Sequence, residues 1–417
     1  MRSTGWTAAS ALAACVVTIL AAQSQAHTYQ VLYVFKGAPD GSGPAAGVIQ
    51  DAQGSLYGTT FSGGNSNCGA DASGCGTVFK LSATGLETVL YRFTGGADGS
   101  NPQAGVIQDA EGNLYGTTYW GGDTSSCSPY GCGVVFKLDS SGIETVLYSF
   151  KGGADGSFPQ AGLIQDAQGN LYGTTTYGGD LFCVASDGQG CGVVFMLSLT
   201  GYETVLHTFA GGVDGALPYA GVIQDAQGNL YGTTAYGGNG SCGIVFKLTN
   251  TTETLLHTFG CSRNGGNPEA GVIRDAAGNL YGTAYTGGTN CDLPIYGCGV
   301  VFKLGVEGKE TAFSPFSANG GRNPYAGVIE DAAGNFYGTT YAGGYQGQGT
   351  VFEMNSTGKG TQLYWFCKDW PQCTDGADPQ AELIQDAQGN LFGTTTAGGD
   401  PSCDQGAGCG VVFKLMP

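Results

Sequence analysis

Residues 105–118 read Gly105-Val106-Ile107-Gln108-Asp109-Ala110-Glu111-Gly112-Asn113-Leu114-Tyr115-Gly116-Thr117-Thr118. A cysteine-bearing loop follows, then Val135-Phe136-Lys137-Leu138, then Glu144-Thr145-Val146-Leu147-Tyr148. The 417-residue chain writes close variants of this sentence seven times. The glycine corresponding to Gly116 recurs at Gly58, Gly173, Gly232, Gly282, Gly338 and Gly393, so the successive intervals are 58, 57, 59, 50, 56 and 55 residues. A period in this range, with several short strands per unit, means propeller blades or a solenoid.

Within the second repeat, 104–109 is a short β-favouring run. The turn at 109–113 pairs an Asp that can bond its own backbone with a Gly that supplies positive φ. Strands are predicted over 114–118, 134–138 and 144–150, with a long loop over 119–133 and a tight turn at 140–142. Four antiparallel strands make one blade. Nothing after the leader has helical periodicity, so the fold class is all-β.

The aromatic landmarks decide between an open and a closed array. The third strand contains Phe79, Phe136, Phe195, Phe246, Phe302, Phe352 and Phe413. The fourth ends in Phe93, Phe150, Phe209, Phe259, Phe316 and Phe366, one fewer, because the chain stops at Pro417 just after the last third strand. The missing member stands at the other end, as Tyr29-Gln30-Val31-Leu32-Tyr33-Val34-Phe35. A solenoid has no use for this offset, whereas a ring uses it to join its ends and leave no long exposed edge. The expectation is a seven-bladed β-propeller closed by strand 29–35, with repeats over 44–93, 102–150, 159–209, 218–259, 268–316, 324–366 and 379–415.

In such a meander the loops after strands two and four emerge on one face. Here those are the long, variable ones, such as 119–133 and 151–160. Function concentrates on loops held by a rigid scaffold, so this face, around the central channel, is the expected site. Most cysteines fall there. The spacing pairs Cys68–Cys75, Cys127–Cys132, Cys183–Cys191, Cys291–Cys298 and Cys403–Cys409 within single second-to-third-strand loops, and Cys367–Cys373 within a fourth-to-first loop. Cys242–Cys261 joins two positions at the same end of a hairpin. Zinc is not expected, because no Cys-x-x-Cys pair exists, and neither a metal nor a cofactor is assigned.

Residues 1–26 read as a secretory signal: Arg2, an apolar run from Ala8 to Ala22, and small residues before His27. Cys15 gives Leu12-Ala13-Ala14-Cys15 a lipobox look, but Val16 to Ala22 stays apolar, so a lipoprotein is the lesser reading. The run is too short for a membrane span. Cleavage removes Cys15 and leaves fourteen cysteines, an even number suited to an oxidising compartment, either secreted or periplasmic. With 15 basic and 33 acidic residues the net charge is −18, which argues against nucleic acid and anionic lipid as partners. A monomer is expected.

Candidate chemistry is sparse. Asp98, Asp155 and Asp214 recur in Gly-Gly-x-Asp-Gly loops, with variants at Asp40 and Asp375. They could ring the channel mouth and bind a cation or sugar hydroxyls; the simpler reading, which we favour, is that each caps a turn. Arg274 and Glu330 replace a recurrent Gln, and Glu382 replaces a Gly, so these three break the symmetry and could supply an acid and a base near the channel. Drift among repeats is the simpler account. His207 and His257 occupy a slot filled elsewhere by Tyr and read as edge-strand packing. Aromatics follow Gly-Thr-Thr at Phe61, Tyr119, Trp120, Tyr177, Tyr236, Tyr285 and Tyr341. Tyr130, Phe182, Tyr296, Tyr345 and Trp370 enter the loops. Exposed rings beside Asn and Asp suit sugar faces or a protein partner. The expected ligand-contacting set is therefore Trp120, Tyr119, Tyr130, Asp98, Asp155, Asp214, Tyr345 and Trp370.

The phrase Asn113-Leu114-Tyr115-Gly116-Thr117-Thr118, followed by Gly121-Gly122, Cys132-Gly133-Val134-Val135-Phe136-Lys137-Leu138 and Glu144-Thr145-Val146-Leu147, resembles the bacterial GloVer tandem-repeat family across all seven units. The Asp-x-x-Gly-Asn-Leu-Tyr hairpin is similar to that of NHL-type propellers. The resemblance implies the fold and a secreted protein, and carries no agreed activity. It also implies a C-terminal sorting anchor, which the ending Lys414-Leu415-Met416-Pro417 does not match. The expected function is an exported, non-catalytic scaffold that binds a glycan or an extracellular protein on its disulfide-braced face. The alternative is a glycan-active hydrolase or lyase using Glu330, Glu382 and neighbouring acidic residues.

Overall fold

Each repeat folds around its aspartate. Asp109 Oδ1 accepts the backbone N–H groups of Glu111 (3.1 Å) and Asn113 (2.8 Å). Its Oδ2 accepts the Asn113 amide (2.7 Å) and the Tyr115 hydroxyl (2.9 Å). Burial opposes ionisation here, but these bonds together outweigh it and hold the carboxyl below the usual range. The Tyr hydroxyl makes the same bond to Asp51, Asp166, Asp225, Asp275 and Asp331. The motif is thus a self-contained hairpin in which a turn carboxylate anchors the aromatic two positions into the next strand.

The protein, here a computed structural model, is described over residues 27–68, 73–125, 127–186, 188–289, 291, 297–317 and 320–416. The expected export signal 1–26 and Tyr296 lie outside these residues. The described residues form seven four-stranded antiparallel sheets, each in meander order, and only two short 3-10 turns. In the second blade the strands are Ile107–Gln108, Leu114–Thr118, Val134–Leu138 and Glu144–Ser149. The innermost strand is shorter than its β-favouring run: only two of its residues pair with the neighbouring strand.

The ring closes as expected. Thr28–Val34 pairs antiparallel with Val411–Met416, with Val31 opposite Phe413 and Val34 opposite Val411. It is the outermost strand of a sheet whose other members are Leu391–Thr395 and Ile384–Gln385.

Two contacts tie the blades. The Phe ending each outermost strand meets the third-strand Phe of the next blade edge to face, as Phe93 meets Phe136 at 5.2 Å between centroids. The series is complete, including Phe366 on Phe413 (5.3 Å) and Phe35 on Phe79 (5.1 Å) at the two seams of the closing blade. All fourteen landmark rings therefore sit in the interfaces, each burial contributing about 2–3 kcal/mol and each edge contact about 1 kcal/mol. Room for the ring comes from the repeat glycine: a Cβ at Gly116 would lie 2.7 Å from Phe136 Cζ.

The second contact is polar. The first Thr of each Gly-Thr-Thr donates its hydroxyl to the next blade's Ala carbonyl, as Thr59 to Ala104 (2.8 Å) and Thr233 to Ala270 (2.8 Å). The seventh, Thr394 to Ala46 (2.8 Å), spans the closure. Seven disulfides, in the pairs named above, brace the long loops. Among the described residues no helix is long and apolar enough to cross a membrane.

Candidate functional site

The Thr-to-Ala bonds have a consequence for the channel. They fix the segment Pro-x-Ala of each repeat, so the residue between Pro and Ala is delivered to the axis. Those residues are Ala45, Gln103, Gln160, Tyr219, Glu269, Tyr325 and Gln380. The second Thr of Gly-Thr-Thr bends the chain outward by donating to a carbonyl two residues on, as Thr175 to Tyr177 (2.8 Å) and Thr234 to Tyr236 (2.7 Å). This sets a second tier of rings around the first.

The two tiers enclose a cavity of about 650 Å³ at the channel mouth, on the long-loop face. Phe61, Tyr119, Tyr177, Tyr219, Tyr236 and Tyr325 supply its aromatic wall. Gln103, Gln160 and Gln380 supply amides, and among the described residues Glu269 is the one charged residue in the lining. The rings brace one another: Tyr219 and Tyr236 meet edge to face at 6.4 Å, and Tyr325 packs on Tyr285 (5.0 Å) and Tyr341 (5.2 Å). Gln160 donates to Gln103 (2.7 Å) and accepts from Thr176 (3.0 Å), so these amides are pre-oriented.

Glu269 is half-buried. Burial alone raises its carboxyl to about 7. Tyr219, Tyr236 and Tyr325 line the same cavity, and the Glu269 charge adds to the rise of their hydroxyl pKa values, behind the larger effects of burial and, for Tyr219 and Tyr325, of a neighbouring Tyr. Asp378 lies at the edge of the same mouth, where its charge is the largest influence on Tyr341. Burial pushes the Asp378 carboxyl up to about 6.

Below the mouth the channel continues as an apolar throat lined by the Ala-Gly-Val-Ile segments of the innermost strands. Glu382 lines this throat with its side chain open to the channel and takes the Gly327 N–H. Desolvation by the surrounding channel wall drives its carboxyl upward and that hydrogen bond works against it.

Of the residues singled out from sequence, Tyr119 lines the cavity, with Phe61, Tyr177 and Tyr236 beside it. Trp120 lies just outside, against Tyr119 (5.3 Å) and Tyr130 (5.4 Å), so the wall extends into an aromatic patch on the second blade. Tyr345 and Trp370 are exposed on sixth-blade loops away from the mouth. Asp98 and Asp155 accept the hydroxyls of Tyr91 (3.0 Å) and Tyr148 (2.9 Å) and a backbone N–H each. Asp214 accepts the Ala210 N–H (3.1 Å) and stands 3.8 Å from His207. These three carboxylates staple turns at the outer rim, which is the turn-capping reading.

Arg274, Glu330 and Glu382 do not come together. Arg274 and Glu330 end the innermost strands Val272–Arg274 and Ile329–Glu330 at the short-turn face. Arg274 stacks over Tyr231 (5.8 Å) and Glu330 faces Asp275 and Asp331. The Glu382 slot lies three residues earlier in its repeat, about 10 Å nearer the mouth at the rise of a strand.

Sequence reasoning passed over Gln103, Gln160, Tyr219, Glu269, Tyr325 and Gln380. The available signal was internal: this slot changes type from repeat to repeat while the flanking Pro and Ala do not.

The fold and the cavity define the class: a seven-bladed β-propeller with an aromatic, singly charged channel mouth. The family model of the Gloeobacter/Verrucomicrobia repeat matches residues 70–296 and 293–417, and the chain belongs to that family. No curated protein is significantly similar to it. Among solved structures it is similar to a fungal alcohol oxidase of the AA5 family in complex with copper, at 13% identity and TM-score 0.53 over 94% of this chain and 77% of that one. It is also similar to the extracellular domain of a candidate one-component system of B. thetaiotaomicron, at 10% identity and TM-score 0.50 over 93% of this chain and 40% of that one. A candidate 6-phosphogluconolactonase of Bacteroides uniformis matches at 15% identity and TM-score 0.49, over 81% of this chain and 88% of that one. At these identities the likeness is one of fold.

Proposed function

We propose that this is an exported binding protein whose ligand is a glycan, held without turnover at the channel mouth. The observation that carries the reading is the cavity wall: six aromatic side chains, three amides and one carboxylate, drawn from all seven blades, converge on about 650 Å³. Aromatic faces suit the apolar faces of sugar rings, and amides suit hydroxyls. A concave site of this size favours a glycan over a flat protein partner. The Trp120–Tyr130 patch offers the next sugar unit a surface. Seven disulfides fit an oxidising, extracytoplasmic compartment and keep the wall rigid.

The hydrolase or lyase reading needs two carboxyl groups facing across a sugar-sized gap. The separation of Glu330 and Arg274 from Glu382 speaks against that pairing. A glycan array on the mature protein, followed by calorimetry and by assays for released sugar ends, tests the choice. Binding without turnover, weakened by Tyr219→Ala, is the expected result. Turnover abolished by Glu382→Gln, or an array with no bound glycan, overturns it.

A further inference from the structure

Resting on that reading of the mouth as a glycan site, we propose that its ligand is an amino sugar, whose protonated amine pairs with Glu269. The argument begins with what Glu269 lacks. Among the described residues it is the single charged side chain lining the cavity, and no Lys, Arg or His lines it. Its side chain has neither a hydrogen bond nor a salt bridge among the described residues. The turn aspartates, by contrast, have their N–H groups and Tyr hydroxyls, and Glu382 has the Gly327 N–H. Leaving a carboxylate unanswered in a low-dielectric pocket is costly unless a ligand completes it.

The surroundings select the kind of ligand. Tyr219, Tyr236 and Tyr325 line the same cavity as Glu269, and aromatic faces attract a cation in addition to the direct charge pairing. A hard metal ion is a poor match: calcium takes six to eight oxygens, whereas the cavity lining offers one carboxylate. An ammonium group needs only one carboxylate and can donate to it in three directions. The rest of the wall, rings and pre-oriented amides, then serves the sugar that carries the amine. A neutral sugar would leave the charge of Glu269 uncompensated. The net charge of −18 favours approach of a cationic oligomer over an anionic one.

The test is calorimetric titration at pH 7 with four probes: a β-1,4-linked glucosamine tetramer, its fully N-acetylated counterpart, cellotetraose and putrescine. The tetramer with free amines is expected to bind at least about tenfold tighter than either neutral oligomer, and putrescine weakly. Glu269→Gln is expected to erase that preference while leaving the weak binding of the neutral oligomers within about twofold. Glu307→Gln, which removes one charge from an exposed turn on the opposite face, is expected to leave the preference intact, and unchanged melting confirms that both variants fold. Equal binding of the three oligomers, or a preference that survives Glu269→Gln, overturns the amine pairing and leaves the glycan reading standing. Putrescine binding as tightly as the tetramer overturns the sugar part of the proposal. Binding of none of the oligomers overturns the glycan reading as well.

Discussion

The ring of Tyr29 lies flat on the ring of Tyr364, with centroids 3.9 Å apart and planes 10° apart. Tyr29 belongs to the first strand described and Tyr364 to the outermost strand of the sixth blade, so the stack crosses the last blade interface before the ring closes. The Tyr29 hydroxyl also donates to the Asp375 carbonyl. In five of the other six blades this slot holds a Glu, at Glu87, Glu144, Glu203, Glu253 and Glu310, and in the sixth it holds Gly360. The Tyr falls at the blade that two distant chain segments build together.

Tyr29→Ala should lower stability by about 2 kcal/mol through lost stacking and burial. Tyr29→Phe should retain most of it. Differential scanning calorimetry of the mature chain checks this, and an Ala variant that melts with the wild type shows that the stack does not hold the seam.

Gly116→Ala should cost about 1–3 kcal/mol, because the added methyl meets the Phe136 ring edge. Phe136→Leu alone should also destabilise. Combined, the two should cost less than the sum of the single changes, since the smaller side chain vacates the contested space. Additive costs in a denaturant-based double-mutant cycle would contradict the steric account.

Titration of the mature chain, unfolded without reductant, should find no free thiol, since all fourteen remaining cysteines are paired. Replacing Cys127 and Cys132 by Ser, a separation of 5, should cost about 2 kcal/mol. Replacing Cys242 and Cys261, a separation of 19, should cost about 3 kcal/mol. Reversal of that order would mean that loop closure is not what these bonds contribute.

The protein should be more stable near pH 5 than at pH 8. Glu87, Glu144, Glu203 and Glu253 are each raised to about 7. The cause is first burial and then the charge of Asp40, Asp98, Asp155 and Asp214 respectively. Each has one buried carboxyl oxygen with no hydrogen-bond partner among the described residues. An acid whose pKa is raised on folding stays protonated in the native state while the unfolded chain ionises from about 4.5 upward. Stability therefore declines between those values and is level above about 7. Below about pH 4 the lowered turn aspartates, Asp109 among them, act in the opposite sense and stability falls again. The four glutamates are partly exposed, so solvent screening leaves only a fraction of the full shift. A melting temperature ~3 °C higher at pH 5 than at pH 8 is the expected size. A melting temperature that rises from pH 5 to pH 8 would refute the assignment.

The blade meander, the Asp turn, the cysteine pairs and the closing strand are all legible in the sequence. Each depends on residues close in sequence or on a motif repeated often enough to show its own offset. Phe35 announces itself as a missing fourth-strand Phe because six others exist to define the slot. Arg274, Glu330 and Glu382 looked alike in the repeat pattern because all three break it, yet depth along the channel separates them. A repeat alignment shows which residue is odd, but it does not show how far down the axis that residue sits.

Local chain chemistry thus determined the blade, and counting blades determined the ring. The mouth was settled only in three dimensions. Tyr219, Glu269 and Tyr325 stand about fifty residues apart from one to the next, and no local interaction relates them. They become neighbours because seven Thr-to-Ala bonds and seven Phe pairs close a circle, and a circle brings the same slot of every repeat to one axis.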